Sequence, residues 1–152
     1  MKTVLMVVGI GLFACHADGQ KMNEKDVPVV VKTTLEKSFG VKTAKWDKED
    51  EHYEANFKDK GKETSVVFDA SGGILETEVE IKKSELPAAV MATIKNDFAD
   101  YKIEEVAKID VKGITSYEVE VEKGEEAYDL IFDVDGTLIK KVKKGEDDED
   151  ED

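Results

Sequence analysis

Two stretches, VVFDASGGIL at residues 66–75 and LIFDVDGTLI at residues 130–139, match position by position at a constant offset of 64. Each is an apolar run ending in Phe-Asp, then two residues, a Gly, and a return to apolar sequence. Asp at the start of a turn accepts hydrogen bonds from nearby N–H groups, and Gly supplies positive φ. Asp-x-x-Gly between two apolar runs therefore reads as a hairpin connection. Finding it twice in the same setting makes an internal repeat the first hypothesis.

Upstream of each turn the repeat continues. Val27-Pro28 to Phe39 matches Leu86-Pro87 to Phe98 at an offset of 59, with Pro28/Pro87, Val31/Val90, Thr34/Thr93 and Phe39/Phe98 identical. The change of offset from 59 to 64 means a five-residue insertion in the second copy. Val27, Val31, Leu35 and Phe39 recur every four residues, as do Leu86, Val90, Ile94 and Phe98, so each set forms one helical stripe. The prolines fall in the first turn, where a missing N–H is harmless.

After each helix the period drops to two. Leu75, Thr77, Val79 and Ile81 alternate with Glu76, Glu78 and Glu80; Tyr117, Val119 and Val121 alternate with Glu118, Glu120 and Glu122. That is the pattern of half-buried strands. With Gly-containing breaks between them, the predicted strands are 43–49, 52–59, 63–69 and 74–82, then 103–111, 115–122, 126–133 and 138–144. The fold class is α+β: a tandem repeat of two helix-plus-four-stranded antiparallel units, at 26–83 and 84–144. One helix per unit covers only one face of the sheet, so the other face is expected to meet water.

Composition bounds what such a chain can do. Of 152 residues, 36 are acidic and 22 basic, for a formal net charge of −14, which repels phosphate backbones and argues against nucleic acid. A basic partner or a cation suits it better. One Cys and two His exclude an intrachain disulfide framework and the usual Cys/His zinc site. Residues 1–17 read as an export signal: Met1-Lys2, an apolar run from Thr3 to Ala14, then polar sequence. Leu12-Phe13-Ala14-Cys15 approximates a lipobox, in which Cys15 would carry the lipid, although Phe13 is bulkier than that motif prefers. Cleavage after Ala17 is the alternative, and would discard Cys15. At the other end, residues 145–152 contain seven consecutive carboxylates and are expected to be a disordered acidic tail.

The second copy also spells DxDGT, Asp133 to Thr137, the signature of haloacid dehalogenase phosphatases. In that chemistry the first Asp attacks phosphorus and magnesium offsets the charge. Two observations oppose it. Only 20 residues start from Asp133 onward, too few for the parallel α/β domain the chemistry needs, and the first copy has Ser71 in place of the second Asp. A turn accounts for the motif. A calcium loop at Asp133 and Asp135 lacks the further acids and the terminal Glu of an EF-hand. No catalytic residue, cofactor or metal site is assigned.

The candidate interaction surface is the face opposite the helices, carrying Glu76, Glu78, Glu80, Glu118, Glu120 and Glu122. Trp46, set among Lys45, Asp47 and Lys48, is the leading aromatic contact candidate, whereas Tyr53 and Tyr117 read as core. Lys140, Lys141, Lys143 and Lys144 on the last strand either pair with neighbouring glutamates or blunt an edge.

The doubled unit, with its Leu/Val-Pro-led helices and Phe-Asp-x-x-Gly turns behind an export signal, resembles the PepSY-like family. That family is related in fold to β-lactamase inhibitor protein and found in secreted proteins of Bacteroidetes-type bacteria. The resemblance spans about residues 26–144. It implies a curved antiparallel sheet with helices on one side, and a role in binding or inhibiting other proteins, peptidases among them. It carries over no β-lactamase-contacting residue. The functional expectation is an exported, non-enzymatic binding or inhibitory module of the periplasm, outer membrane or cell surface, its partner another envelope or secreted protein, with membrane contact only through a lipid on Cys15. The alternative is a calcium-associated acidic envelope protein without a specific protein target.

Overall fold

The computed structural model describes residues 20–144; the stretch read as an export signal, with Cys15, and the acidic tail lie outside the described residues. Nine strands form one antiparallel sheet: β1 (Gln20–Met22), β2 (Lys45–Glu49), β3 (His52–Asp59), β4 (Lys62–Phe68), β5 (Ile74–Glu80), β6 (Lys102–Val111), β7 (Ile114–Lys123), β8 (Glu126–Asp133) and β9 (Leu138–Lys143). Their order across the sheet is their order in the chain, so the two copies meet edge to edge where β5 pairs with β6, Glu78 opposite Ile109. Helix α1 (Val29–Phe39) precedes β2, and α2 (Ala88–Asp97) joins β5 to β6. No helix among the described residues is long and apolar enough to cross a membrane.

Each helix is entered the same way. A 3-10 turn, Glu24–Asp26 or Lys83–Glu85, leads into Pro28 or Pro87 at the N-cap, one position earlier than the spacing predicts. Proline suits that place: its carbonyl accepts the first helical N–H, from Lys32 at 3.2 Å and from Met91 at 3.1 Å, and its own N–H is not needed. The predicted stripes face the sheet. Val27, Val31 and Leu35 pack with Trp46, Ala55, Phe57, Val66 and Phe68; Leu86, Val90, Ile94 and Phe98 pack with Val106, Val119, Val121, Leu130 and Phe132. Tyr53 and Tyr117 lie half-buried against these two cores.

The repeated turns share the same backbone bonding. Asp69 N–H donates to Gly73 O and Gly72 N–H to Asp69 O, while Asp133 N–H donates to Thr137 O and Gly136 N–H to Asp133 O. One oxygen of each Asp closes the loop. Asp69 Oδ1 accepts from Ser71 N–H at 2.8 Å, Ser71 Oγ at 2.6 Å and Gly73 N–H at 2.8 Å; Asp133 Oδ1 accepts from Asp135 N–H and Thr137 N–H, both at 2.9 Å. The Ser71 and Gly73 bonds hold the Asp69 carboxyl below the usual carboxylate range. DxDGT is thus a hairpin turn between antiparallel β8 and β9, and its leading carboxylate is consumed by the turn. Gly72 (φ 83°) and Gly136 (φ 84°) lie against the helices: a Cβ on Gly136 would sit 2.6 Å from the Ala89 carbonyl carbon and oxygen, and one on Gly72 2.9 Å from Thr34 Oγ1. Thr93 Oγ1 ties the second turn to α2 by donating to Gly136 O at 2.7 Å.

Two expectations are corrected. The sheet has a ninth strand, β1, paired to β2 through Lys21–Asp47 and Met22–Trp46; three residues are too few for a period of two to be legible. Trp46 is no contact residue. It is 4 % exposed and packs against Phe68 at 6.2 Å between ring centroids, because its charged neighbours Lys45 and Asp47 take the opposite face of β2.

Candidate functional site

Cross-strand pairing fixes which residues share the face without helices, since directly paired residues point the same way. One row runs Glu80, Ala107, Glu118, Ile131, Lys140; a second Glu78, Ile109, Ser116, Asp133; a third Asp47, Glu54, Val67, Glu76; a fourth Glu120, Asp129, Val142. All six predicted glutamates therefore lie on this face, on β5 and β7. Between them β6 contributes the short Ala107.

The expectation of a solvated face fails at its centre. Ile109 and Ile131 are 0 % and 1 % exposed, and Glu76, Glu118, Asp129, Ser116, Val67 and Ala107 are buried as well. Among the described residues no helical residue joins the Ile109–Ile131 cluster, and none of them forms a second layer over it. Side chains on such a face leave water only where the sheet curves and neighbours close over them. Register shifts at Val67/Phe68, Ile103/Val106 and Ile131/Phe132 are the irregularities that increase strand twist and bend. The resulting trough, about 590 Å³, is lined by Glu63, Glu80, Glu104, Glu105, Glu120 and Glu122.

Carboxyl groups crowded out of water resist ionisation. Burial, and then the charges of Glu78 and Asp129, push Glu118 up to about 9, with Lys144 partly opposing. Burial, followed by Glu76, Glu105 and Glu54, pushes Glu78 up to about 7. Among the described residues, Lys144 brings a cation to the centre. Lys144 Nζ lies 2.7 Å from Glu120 and 4.0 Å from Asp129, and Lys144 N–H extends the β8–β9 pairing to Ala127 O. Burial alone would lower the Lys144 pKa, but the Glu120 bond and the Asp129 charge outweigh it and leave it raised. On the rim, Lys58 pairs with Glu63 and Lys102 with Glu104, both at 2.7 Å.

Sequence reasoning missed Glu54, Glu63, Glu104, Glu105 and Asp129 as members of this site. Asp129 was detectable in principle, since it lies opposite Glu120 once β7 and β8 are paired; Glu105 was not, because the bulge between Ile103 and Val106 interrupts the count of two. Among the described residues no group of three or more His, Cys, Asp or Glu is arranged to hold a metal ion. The trough is thus an acidic surface with open access, adjoining through Glu105 the buried carboxyls of Glu78 and Glu118, and suited to meeting hydrogen-bond donors and positive charge.

Similarity to known proteins agrees with this architecture. A "Putative beta-lactamase-inhibitor-like, PepSY-like" family model matches residues 15–76 and 51–140. A protein from Bacteroides eggerthii described as a "putative periplasmic" protein is 20 % identical, with a TM-score of 0.73 over 77 % of this chain and 88 % of that one. A protein from Bacteroides uniformis is 21 % identical, with a TM-score of 0.71 over 76 % and 88 %. A BLIP-like protein from Bacteroides fragilis is 25 % identical, with a TM-score of 0.66 over 80 % and 89 %. No functionally curated protein matches the chain. Two matched segments, a nine-stranded antiparallel sheet and two helices on one side of it place the chain in the PepSY-like, β-lactamase-inhibitor-like family, to which it belongs.

Proposed function

We propose that the protein is an exported, non-enzymatic binding or inhibitory module that holds another envelope or secreted protein against the concave face of its sheet. One observation carries this reading: side chains on a face with no second layer among the described residues are withdrawn from water, carboxyls among them. Burying Glu76, Glu118 and Asp129 costs stability that apolar residues would not. Such departures from what a core prefers concentrate at functional sites. The inhibitor-like family and the periplasmic description of the Bacteroides eggerthii relative support a binding role outside the cytoplasm. Residues 1–17 direct export in this reading. The mass of the mature protein purified from its own cells distinguishes a lipid-bearing Cys15 from a chain cut after Ala17.

Site-specific photo-crosslinking in cells that make the protein tests the surface. Benzoylphenylalanine in place of exposed Glu80 or Glu122 is expected to give a discrete adduct, whereas the same group at Lys37 or Lys95, exposed on α1 and α2, gives none. Adducts from the helices alone, or equally from both sides, would refute the proposal.

A further inference from the structure

We infer that the trough receives an arginine-bearing basic segment of the partner protein, its guanidinium seated at the trough's floor beside the buried Glu78 and Glu118, which adjoin the lining residue Glu105. This deepens the binding role proposed above and rests on it. Three features of the site converge. Glu118 is 8 % exposed, yet its Oε2 has no hydrogen-bond partner among the described residues. It is directed into the acidic cluster, where its charged neighbours are Glu78, Asp129, Lys144 and Glu105. A buried oxygen left without a donor is costly, and a ligand donor removes that cost.

The chain's own side chain indicates the kind of donor. Lys144 is drawn into one end of the cluster, bonded to Glu120 at 2.7 Å, so a cationic nitrogen is already accepted there. That ammonium faces Glu105, Glu118, Glu120 and Asp129, while Glu54, Glu76 and Glu105 crowd Glu78, whose carboxyl Lys144 does not relieve. A second cation is favoured at the β5 side, away from Lys144. Glu78 and Glu118 stand on β5 and β7, two strands apart and two residues out of register, on the same face and near enough that the charge of Glu78 acts on the Glu118 carboxyl. A planar guanidinium with five donors can bridge two neighbouring carboxyls, which a single ammonium does less well.

The length of the trough argues for a chain as occupant. Its lining runs from Glu63 on β4 to Glu122 on β7, three strand spacings or roughly 14 Å, and is glutamate throughout. A segment with further basic residues would follow that row to the rim. Charge complementarity of this kind sets encounter rate and specificity.

Titration calorimetry of the full-length protein with tetra-arginine at low salt tests the inference. Tetra-arginine is expected to bind, and the double variant Glu78→Gln/Glu118→Gln to weaken it at least tenfold. Glu51→Gln/Glu125→Gln removes the same charge from exposed turns and is expected to change affinity less than twofold. Equal loss in both variants would reduce the effect to bulk attraction by an acidic chain and overturn the inference, as would the absence of binding. Spermine or calcium binding with the same dependence on Glu78 and Glu118 would also overturn it, in favour of a small cation. If tetra-arginine fails while Glu80 still cross-links to a protein, the arginine assignment falls and the binding role stands. If cross-links from the concave face are absent, the binding role falls first.

Discussion

Gly136→Ala should cost about 3–5 kcal/mol of stability, combining the penalty of a left-handed backbone with that of forcing an atom into a packed contact. The added Cβ would lie 2.6 Å from both the carbonyl carbon and oxygen of Ala89, at a φ of 84°. Backbone on α2 cannot swing aside as a side chain would, so the turn or the helix must move. Thr93 then loses the geometry of its bond to Gly136 O, 2.7 Å in the native protein. Gly124 is the comparison, because its φ is 64° but nothing lies within 4 Å of its Cβ direction. Gly124→Ala should cost only the backbone part, about 1–2 kcal/mol. Urea denaturation of both variants checks the difference; equal losses would show that the turn does not press on the helix. Since folded domains are stable by about 5–15 kcal/mol, Gly136→Ala should leave a marginal protein.

The second large effect is on pH dependence. A carboxyl with a folded pKa above its unfolded value binds more protons folded than unfolded in the interval between them. Stability is therefore full below the unfolded pKa and falls as pH rises through the folded one. For this protein the interval begins near the ordinary 4.5 and reaches about 7 for Glu78 and about 9 for Glu118. Unfolding free energy should decline between pH 5 and pH 9. Glutamine imitates the protonated acid, so Glu78→Gln/Glu118→Gln should flatten that decline and stabilise the protein at pH 8 by on the order of 2–3 kcal/mol. Neutralising either acid relieves the other, so each single variant should recover more than half of the effect. A wild-type profile that is level from pH 5 to pH 9 would mean that these carboxyls are better solvated than their burial implies. The same double variant is the one expected to lose tetra-arginine binding, and its added stability separates that loss from unfolding.

The fold thus favours the protonated form of Glu78 and Glu118 on its helix-free face. If a guanidinium enters beside Glu78 and Glu118, the charge that the fold suppresses becomes the charge that the partner needs. Lys144 occupies one end of the cluster already, and its position beside Glu120 and Asp129 shows how a cation relieves such a surface.

Much of this architecture was legible before any coordinates. The repeated FDxxG turns, the four-residue stripes and the alternation of Glu with apolar residues gave two helices, eight of the nine strands and the side of the sheet on which each predicted glutamate lies. DxDGT was recognisable as a turn because its first copy lacks the second acid. Trp46 misled because charged neighbours suggest exposure, although on a strand neighbours in sequence face opposite ways.

A period of two determines side, and side is a property of the chain next to each residue. Depth is not. Glu80 and Glu118 share a row, yet Glu80 meets water and Glu118 is 8 % exposed, because Glu118 stands near the middle of a curved sheet among side chains from β5, β6 and β8 and Lys144 beyond β9. Those groups come from both copies of the repeat and from bulges that no local pattern announces. Sequence alone therefore determined the elements and their faces; the tertiary curvature decided which carboxyls lose their water and, with it, where a charged partner has most to offer.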